Sequence, residues 1–140
     1  MRGSGGPSRA TALAMMAKAL RPPSDSEAFA SDLDDLRRAT DDPEALEALD
    51  AASRQALRVS VVKEYHRLFL GPARPLAPPF ESYYLEGKVY GASTMGLLRE
   101  LRGAGLEPAE TFRLPPDHIA IELEYLALLE LVGHLDTPHE

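Results

Sequence analysis

No cysteine and no tryptophan occur among the 140 residues. The lack of cysteine excludes a disulfide framework and any zinc site built on thiolates. Positive charge is also short: 15 lysines and arginines stand against 22 aspartates and glutamates, a formal charge of −7. This disfavours nonspecific nucleic-acid binding, which needs a basic face, and favours basic partners. No uninterrupted membrane-length apolar run is present. The most apolar stretch, Ile119 to Leu135, carries Glu122, Glu124 and Glu130, too costly for a lipid-facing span. Lys18 likewise breaks the Ala10–Leu20 run that follows Arg2 and Arg9, so it reads as an amphipathic first helix rather than a signal peptide. A cytoplasmic protein is expected. No HExxH, P-loop, GxSxG or dinucleotide fingerprint is found.

What is present begins with length and hydrophobicity. A chain of 140 residues is one domain by the usual prior, and 44% hydrophobic residues suffice for a core. Aromatics make up only 6% of the chain, yet five of them fall between Tyr65 and Tyr84. Pro72, Pro75, Pro78 and Pro79 lie in the same stretch, each fixing φ and removing a backbone donor. The stretch is read as a stiff loop. Its apolar side chains (Phe69, Leu76, Phe80, Tyr83) either pin it to a helical core or present a surface for an extended peptide, at little entropic cost.

Elsewhere the chain reads as helices punctuated by proline. Met1 to Ser8 is expected to be a disordered tail, residues 9–135 one helical domain, and 136–140 a second tail. The first helix spans about Arg9 to Leu20 and stops at Pro22-Pro23. Ser24 with Glu27 predicts a capping box for a second helix striped by Phe29, Leu33 and Leu36. Asp42-Pro43-Glu44 starts a third, which either bends or breaks near Ala51–Ser53. From Gln55, the stripe Leu57, Val61, Tyr65, Leu68 predicts one helix ended by Gly71-Pro72. Ser93 or Thr94 caps another, closed by Gly103 and Gly105. The last starts at Pro115-Pro116-Asp117 and is apolar on two sides, through Ile119, Leu123, Leu126 and through Ile121, Tyr125, Leu128, so neighbours are expected on both flanks. No segment alternates over a strand length. The fold class is all-α, a single helical bundle of five or six helices.

One constellation has chemical character. His118 and Glu122 are four apart on the final helix, and Asp117 and Glu124 are seven apart. A His–carboxylate pair at that spacing suits a metal or acid–base chemistry, with further ligands needed from His66, His134 or His139. The bland reading is that Asp117 caps the last helix and His118 bonds to a neighbouring loop.

Three blocks occur in order: Tyr65-x-x-Leu68-Phe69-x-Gly71-Pro72; Pro78-Pro79-Phe80-Glu81-Ser82-x-Tyr84-Leu85; and Pro116-Asp117-His118 followed by Glu122-Leu123-Glu124-Tyr125-Leu126. Thr94 after Gly91, and Gly105-Leu106, fit the same order. From about Ala10 to Leu135 the chain resembles the TorD/DmsD/NarJ family of molybdoenzyme maturation chaperones. The resemblance implies a cytoplasmic, all-helical, non-enzymatic protein without a cofactor or metal of its own. Its partners would be the twin-arginine signal peptide and the apo catalytic subunit of a molybdopterin oxidoreductase, held back from export until the cofactor is inserted. The matching peptide-binding positions are Tyr65, Leu68, Phe69, Phe80, Asp117 and His118, supported by Pro79, Glu81, Pro116, Glu122 and Glu124. Aromatic and aliphatic groups suit the peptide's apolar part, while Asp117, backed by Glu122 or Glu124, suits guanidinium groups.

Two departures stand out. Family members often carry tryptophan where this chain has Tyr65 and Phe80, and the family usually continues with further helices after the one ending near Gly133. A two-sided apolar helix without those partners is expected to leave surface for self-association as a homodimer. Two other readings remain from the residues alone: a metal-dependent hydrolase using Asp117, His118 and Glu122, and a helical adaptor in which the proline loop is only structural.

Overall fold

Ser8 starts the first helix by accepting the Thr11 N–H on its hydroxyl at 3.1 Å. This helix, α1 (Arg9–Leu20), ends just before Pro22 and Pro23. The computed structural model describes residues 8–71 and 75–136. The expected tails before Ser8 and after Asp136 lie outside those residues, as does Pro72. Ser8 itself is a helix cap and not part of a tail.

The next starts differ from expectation in detail. Asp25, not Ser24, caps α2 (Ser26–Arg38), taking the Ala28 N–H at 2.7 Å. A charged acceptor at the positive end of a helix outcompetes the neighbouring hydroxyl. Asp42 and Pro43 start α3 (Pro43–Ala56) as expected, and it passes Ala51–Ser53 without a break. The predicted helix from Gln55 is split instead. Gln55 and Ala56 complete α3, the chain turns, and Ser60 caps α4 (Val61–Tyr65). Leu57 therefore leaves the expected stripe and is 88% exposed, while Val61 and Tyr65 are buried.

At His66–Leu70 the helix widens into a π-helical turn, closed by Gly71 at a φ of 76° with its N–H on the His66 carbonyl. The proline loop is tied to this turn by Ala77 N–H on the Leu68 carbonyl at 2.8 Å. The stretch read as turns contains a short helix, α5 (Glu81–Glu86). Next, α6 (Ala92–Gly103) begins at Gly91 rather than at Ser93 or Thr94. The Thr94 hydroxyl accepts the Gly91 N–H at 3.1 Å, and Glu86 Oε1 takes the Ser93 N–H. A Cβ at Gly91 would meet the Glu86 carboxylate, which would have to move aside. Gly91→Ala should displace that carboxylate from the helix start and cost about 1 kcal/mol in urea unfolding; an unchanged midpoint would mean Glu86 swings aside freely. The last helix, α7 (Ile119–Asp136), starts two residues beyond Asp117.

Seven α-helices and the π turn among the described residues make an all-α domain, one or two more helices than expected. Among the described residues, the extended pairing is a single antiparallel bridge between Phe80 and His118. At the centre, α1 runs antiparallel to α7: Arg9 pairs with Glu130 at 3.1 Å and Arg21 with Glu124 at 2.7 Å. Ala10 and Ala17 on α1, and Ala120 and Ala127 on α7, are all buried and each pair is seven apart, so small faces meet and the axes approach closely. Lys18 holds Asp35 on α2 at 2.8 Å, and Arg37 on α2 holds Asp50 on α3. The expectation that α7 is covered on both flanks is not met. Leu126, Leu128, Leu129, Leu131 and Val132 remain exposed among the described residues, because α1 covers only the alanine face.

Candidate functional site

The turn before α7 and the end of the proline loop meet edge to edge. Ile119 N–H donates to the Pro79 carbonyl at 2.8 Å and Glu81 N–H to the Asp117 carbonyl at 3.3 Å, framing the Phe80–His118 bridge. The sequence places these segments nearly 40 positions apart; tertiary packing makes them one site.

Asp117 and His118 are wholly buried. Asp117 does not cap its own helix. Its Oδ2 accepts the Ser82 N–H at 2.8 Å, supplying the cap that Phe80 cannot give to α5. His118 takes over at α7, where its Nδ1 accepts the Ala120 N–H at 3.0 Å. An accepting Nδ1 in a neutral ring places the proton on Nε2, which lies 2.8 Å from the Tyr65 hydroxyl. That hydroxyl then donates to the Leu20 carbonyl at 2.8 Å, satisfying an orphan carbonyl at the end of α1. Burial holds His118 well below its ordinary range, at about 4, against the opposing pull of Asp117. The ring is also packed edge-on against Phe80 and Phe112. His118 is thus a neutral tie joining α1, α4, α5 and α7.

In front of this tie lies a cavity of about 340 Å³, walled by Tyr65, Phe69, Pro79, Phe80, Asp117 and Glu122. Glu81 reaches it too, so seven of the eleven sequence-assigned residues are gathered here. Two oxygens of its lining residues have no hydrogen-bond partner although buried: Asp117 Oδ1 and Glu122 Oε1. Burial first, then the proton shared with Glu81 and the charges of Glu81 and Asp117, push the Glu122 carboxyl up to about 8. No lysine, arginine or histidine is among its lining residues. A buried acceptor without a donor is costly, so this arrangement is set to receive a cationic donor.

The remaining assigned residues lie elsewhere. Leu68 lines a second, almost wholly apolar groove of about 440 Å³ between α1, α2, α3 and α4, floored by Phe29, Leu33 and Leu36. This groove and the acidic cavity share Leu20, Tyr65 and Phe69. Pro116 is buried behind the site. Glu124 does not back Asp117: it faces a third cavity and is paired with Arg21, because helix geometry turns it away from the cavity that Glu122 faces. Leu20, Tyr84 and Ile119 also line the acidic cavity and were not assigned to the site from sequence. His134 and His139 lie outside the described side chains. Among the described residues no group of three or more His, Asp or Glu is placed to hold a metal ion, and both His118 nitrogens are engaged.

Comparison with known proteins gives a consistent picture. The family model described as nitrate reductase delta subunit matches residues 12–137. The chaperone protein TorD of Vibrio cholerae is 33% identical over 89 residues, 63% of this chain and 40% of that protein. The chaperone protein TorD of a Psychrobacter species is 32% identical over 86 residues, 60% of this chain and 39% of that protein. The chain thus matches about two fifths of the length of these curated relatives. A crystal structure of a candidate redox enzyme maturation protein from Archaeoglobus fulgidus superposes with a TM-score of 0.62 over 97% of this chain and 78% of that one, at 22% identity, a likeness of fold. With its ordered sequence blocks and all-helical architecture, the chain belongs to the nitrate reductase delta subunit family, the family of the TorD and NarJ maturation chaperones.

Proposed function

We propose that this protein is a cytoplasmic maturation chaperone that binds the twin-arginine signal peptide and apo catalytic subunit of a molybdopterin oxidoreductase, and acts by binding rather than by catalysis. The observation that carries the reading is the shared wall of Leu20, Tyr65 and Phe69 between an acidic cavity and an apolar groove. A signal peptide of this kind has a cationic head followed by an apolar stretch. The head suits the orphan oxygens of Asp117 and Glu122, and the apolar stretch suits the groove floored by α2. Both parts of the peptide reach their sites across one aromatic threshold. Family membership and the two TorD relatives support the same reading.

Calorimetry with a peptide carrying Arg-Arg before an apolar stretch, and with its Lys-Lys counterpart, tests this. The arginine peptide is expected to bind more tightly, because only a planar fork can bridge two fixed oxygens. Affinity should fall with added salt. Phe69→Ala should weaken binding by about 1–2 kcal/mol with an unchanged salt slope, since it removes apolar contact alone. Asp117→Asn should weaken binding by about 1–3 kcal/mol and flatten the slope. Equal affinity for both peptides would exclude fork recognition. No binding of any twin-arginine peptide from the same genome would leave the helical-adaptor reading ahead.

A further inference from the structure

Three carboxyl groups converge on the acidic cavity from three elements: Glu81 from the start of α5, Asp117 from the turn before α7, and Glu122 from the first turn of α7. An acidic cluster alone is common on an acidic protein and means little. Here a second observation adds to it. Asp117 is wholly buried, its Oδ1 has no partner, and it lines the cavity. Glu122 is half-buried, but its Oε1 is buried and likewise without a partner.

Negative charge is costly where this cluster is buried, at Asp117 and at the Glu122 Oε1, whereas Glu81 is exposed. Pro79, Phe80 and Phe69 present apolar surface beside Asp117 and Glu122, and like charges at short range disfavour one another. Other titratable groups facing Glu122 are few. The π turn contributes Phe69 and α1 contributes Leu20; α4 brings the Tyr65 hydroxyl, already bonded to Leu20 and His118, and α5 brings Tyr84 beside Glu81. Arg21 is engaged by Glu124 on a different cavity. With no cation in the lining, a proton is the remaining neutraliser, and it rests on Glu122.

We propose that the cavity takes one guanidinium group in exchange for that proton, so that docking of the peptide's arginine ionises Glu122 and releases the proton to solvent. This rests on the peptide-binding reading above and adds its regulation. The exchange balances: one proton leaves and one positive charge enters, with the guanidinium N–H groups supplying the donors that Asp117 Oδ1 and Glu122 Oε1 lack. The protein then binds arginine weakly where Glu122 is fully protonated and tightly where it is not, giving an affinity set by local pH.

The sign is fixed by linkage. Glu122 holds its proton up to about pH 8 in the free protein, and a bound cation lowers that value. Below pH 8, binding must expel the proton, so affinity should rise about tenfold per pH unit from pH 6 to 7 and level off above 8. His118 titrates far below this window, and an acetylated peptide brings no titrating amine.

The test is calorimetry on the full chain at pH 7, with an acetylated, amidated peptide of Arg-Arg followed by about a dozen leucines and alanines. Buffers of low and high ionisation heat are compared. The difference should correspond to release of close to one proton per peptide. An Ala-Ala counterpart should release none. Glu122→Gln should bind the arginine peptide without proton release and with flat pH dependence. Glu81→Gln keeps Glu122 but removes the neighbour that shares its proton, so release at pH 7 should shrink; this serves if Glu122→Gln fails to fold. Binding with equal heats in the two buffers would overturn the exchange and leave the peptide-binding reading standing. Undiminished release in Glu122→Gln would likewise overturn it. No binding at all would overturn both.

Discussion

His118→Ala is expected to remove about 3–5 kcal/mol of unfolding free energy, a large part of what a domain of this size possesses. The ring is wholly buried between Phe80 and Phe112, so its loss leaves a cavity in a place with no slack. It also leaves the Ala120 N–H unmatched and takes away the donor to the Tyr65 hydroxyl, which keeps only its bond to the Leu20 carbonyl. Tyr65→Phe should cost less, about 1–2 kcal/mol, because the aromatic packing on Phe69 survives and only the hydroxyl goes. The double variant should lose less than the sum, since both changes break the same bond. Urea unfolding of the three variants measures this directly. A His118→Ala midpoint close to wild type would show that the tie between α1, α4, α5 and α7 contributes little.

The second large effect is a concealed pH dependence. His118 is held at about 4 in the folded protein against an ordinary value of 6.5, so between those values the unfolded chain binds the extra proton. Its contribution is fully present above pH 6.5 and is lost as pH falls toward 4, about 3 kcal/mol in all. Glu122 runs the other way. Its carboxyl is raised from 4.5 to about 8, so the folded state binds the extra proton in that interval and stability falls as pH rises through it. From about 4.5 to 6.5 the two proton differences oppose and the pair contributes little slope; from 6.5 to 8 only the Glu122 loss remains. Glu122→Gln should therefore unmask a steep loss of stability on acidification from 6.5 to 4. His118→Gln should unmask a loss on raising the pH from 4.5 to 8. Differences between each variant and wild type cancel the other carboxylates. Parallel pH profiles for all three proteins would refute the assignment of both groups.

How much of this was legible from residues alone depends on whether the cause was local. The Ser8-to-Leu20 helix, the Asp42-Pro43 start and the Gly71 stop rest on capping and proline chemistry, which act within a few positions, and each was readable to within a residue. The all-α class follows from the same periodicity. The errors lie where distant groups compete. Leu57 fits a helical stripe, yet a chain turn puts it in solvent. Glu81–Glu86 forms a helix among prolines because Asp117, 36 positions after Glu81, caps it through the Ser82 N–H.

The candidate site divides along the same line. Residue types and ordered blocks in the sequence singled out the candidate side chains: Tyr65 and Phe69 on the helix and its π turn, a proline-framed Phe80, and Asp117-His118. Only tertiary structure decided what they do. It turned Asp117 from a cap of its own helix into a cap of another, made His118 a neutral tie with both nitrogens used, and sent Glu124 to Arg21. It also brought Glu81 and Glu122 close enough to share a proton. The reason is physical. Periodicity and capping are set by neighbours along the chain, whereas burial, orphan acceptors and shifted protonation exist only once separate segments exclude water together.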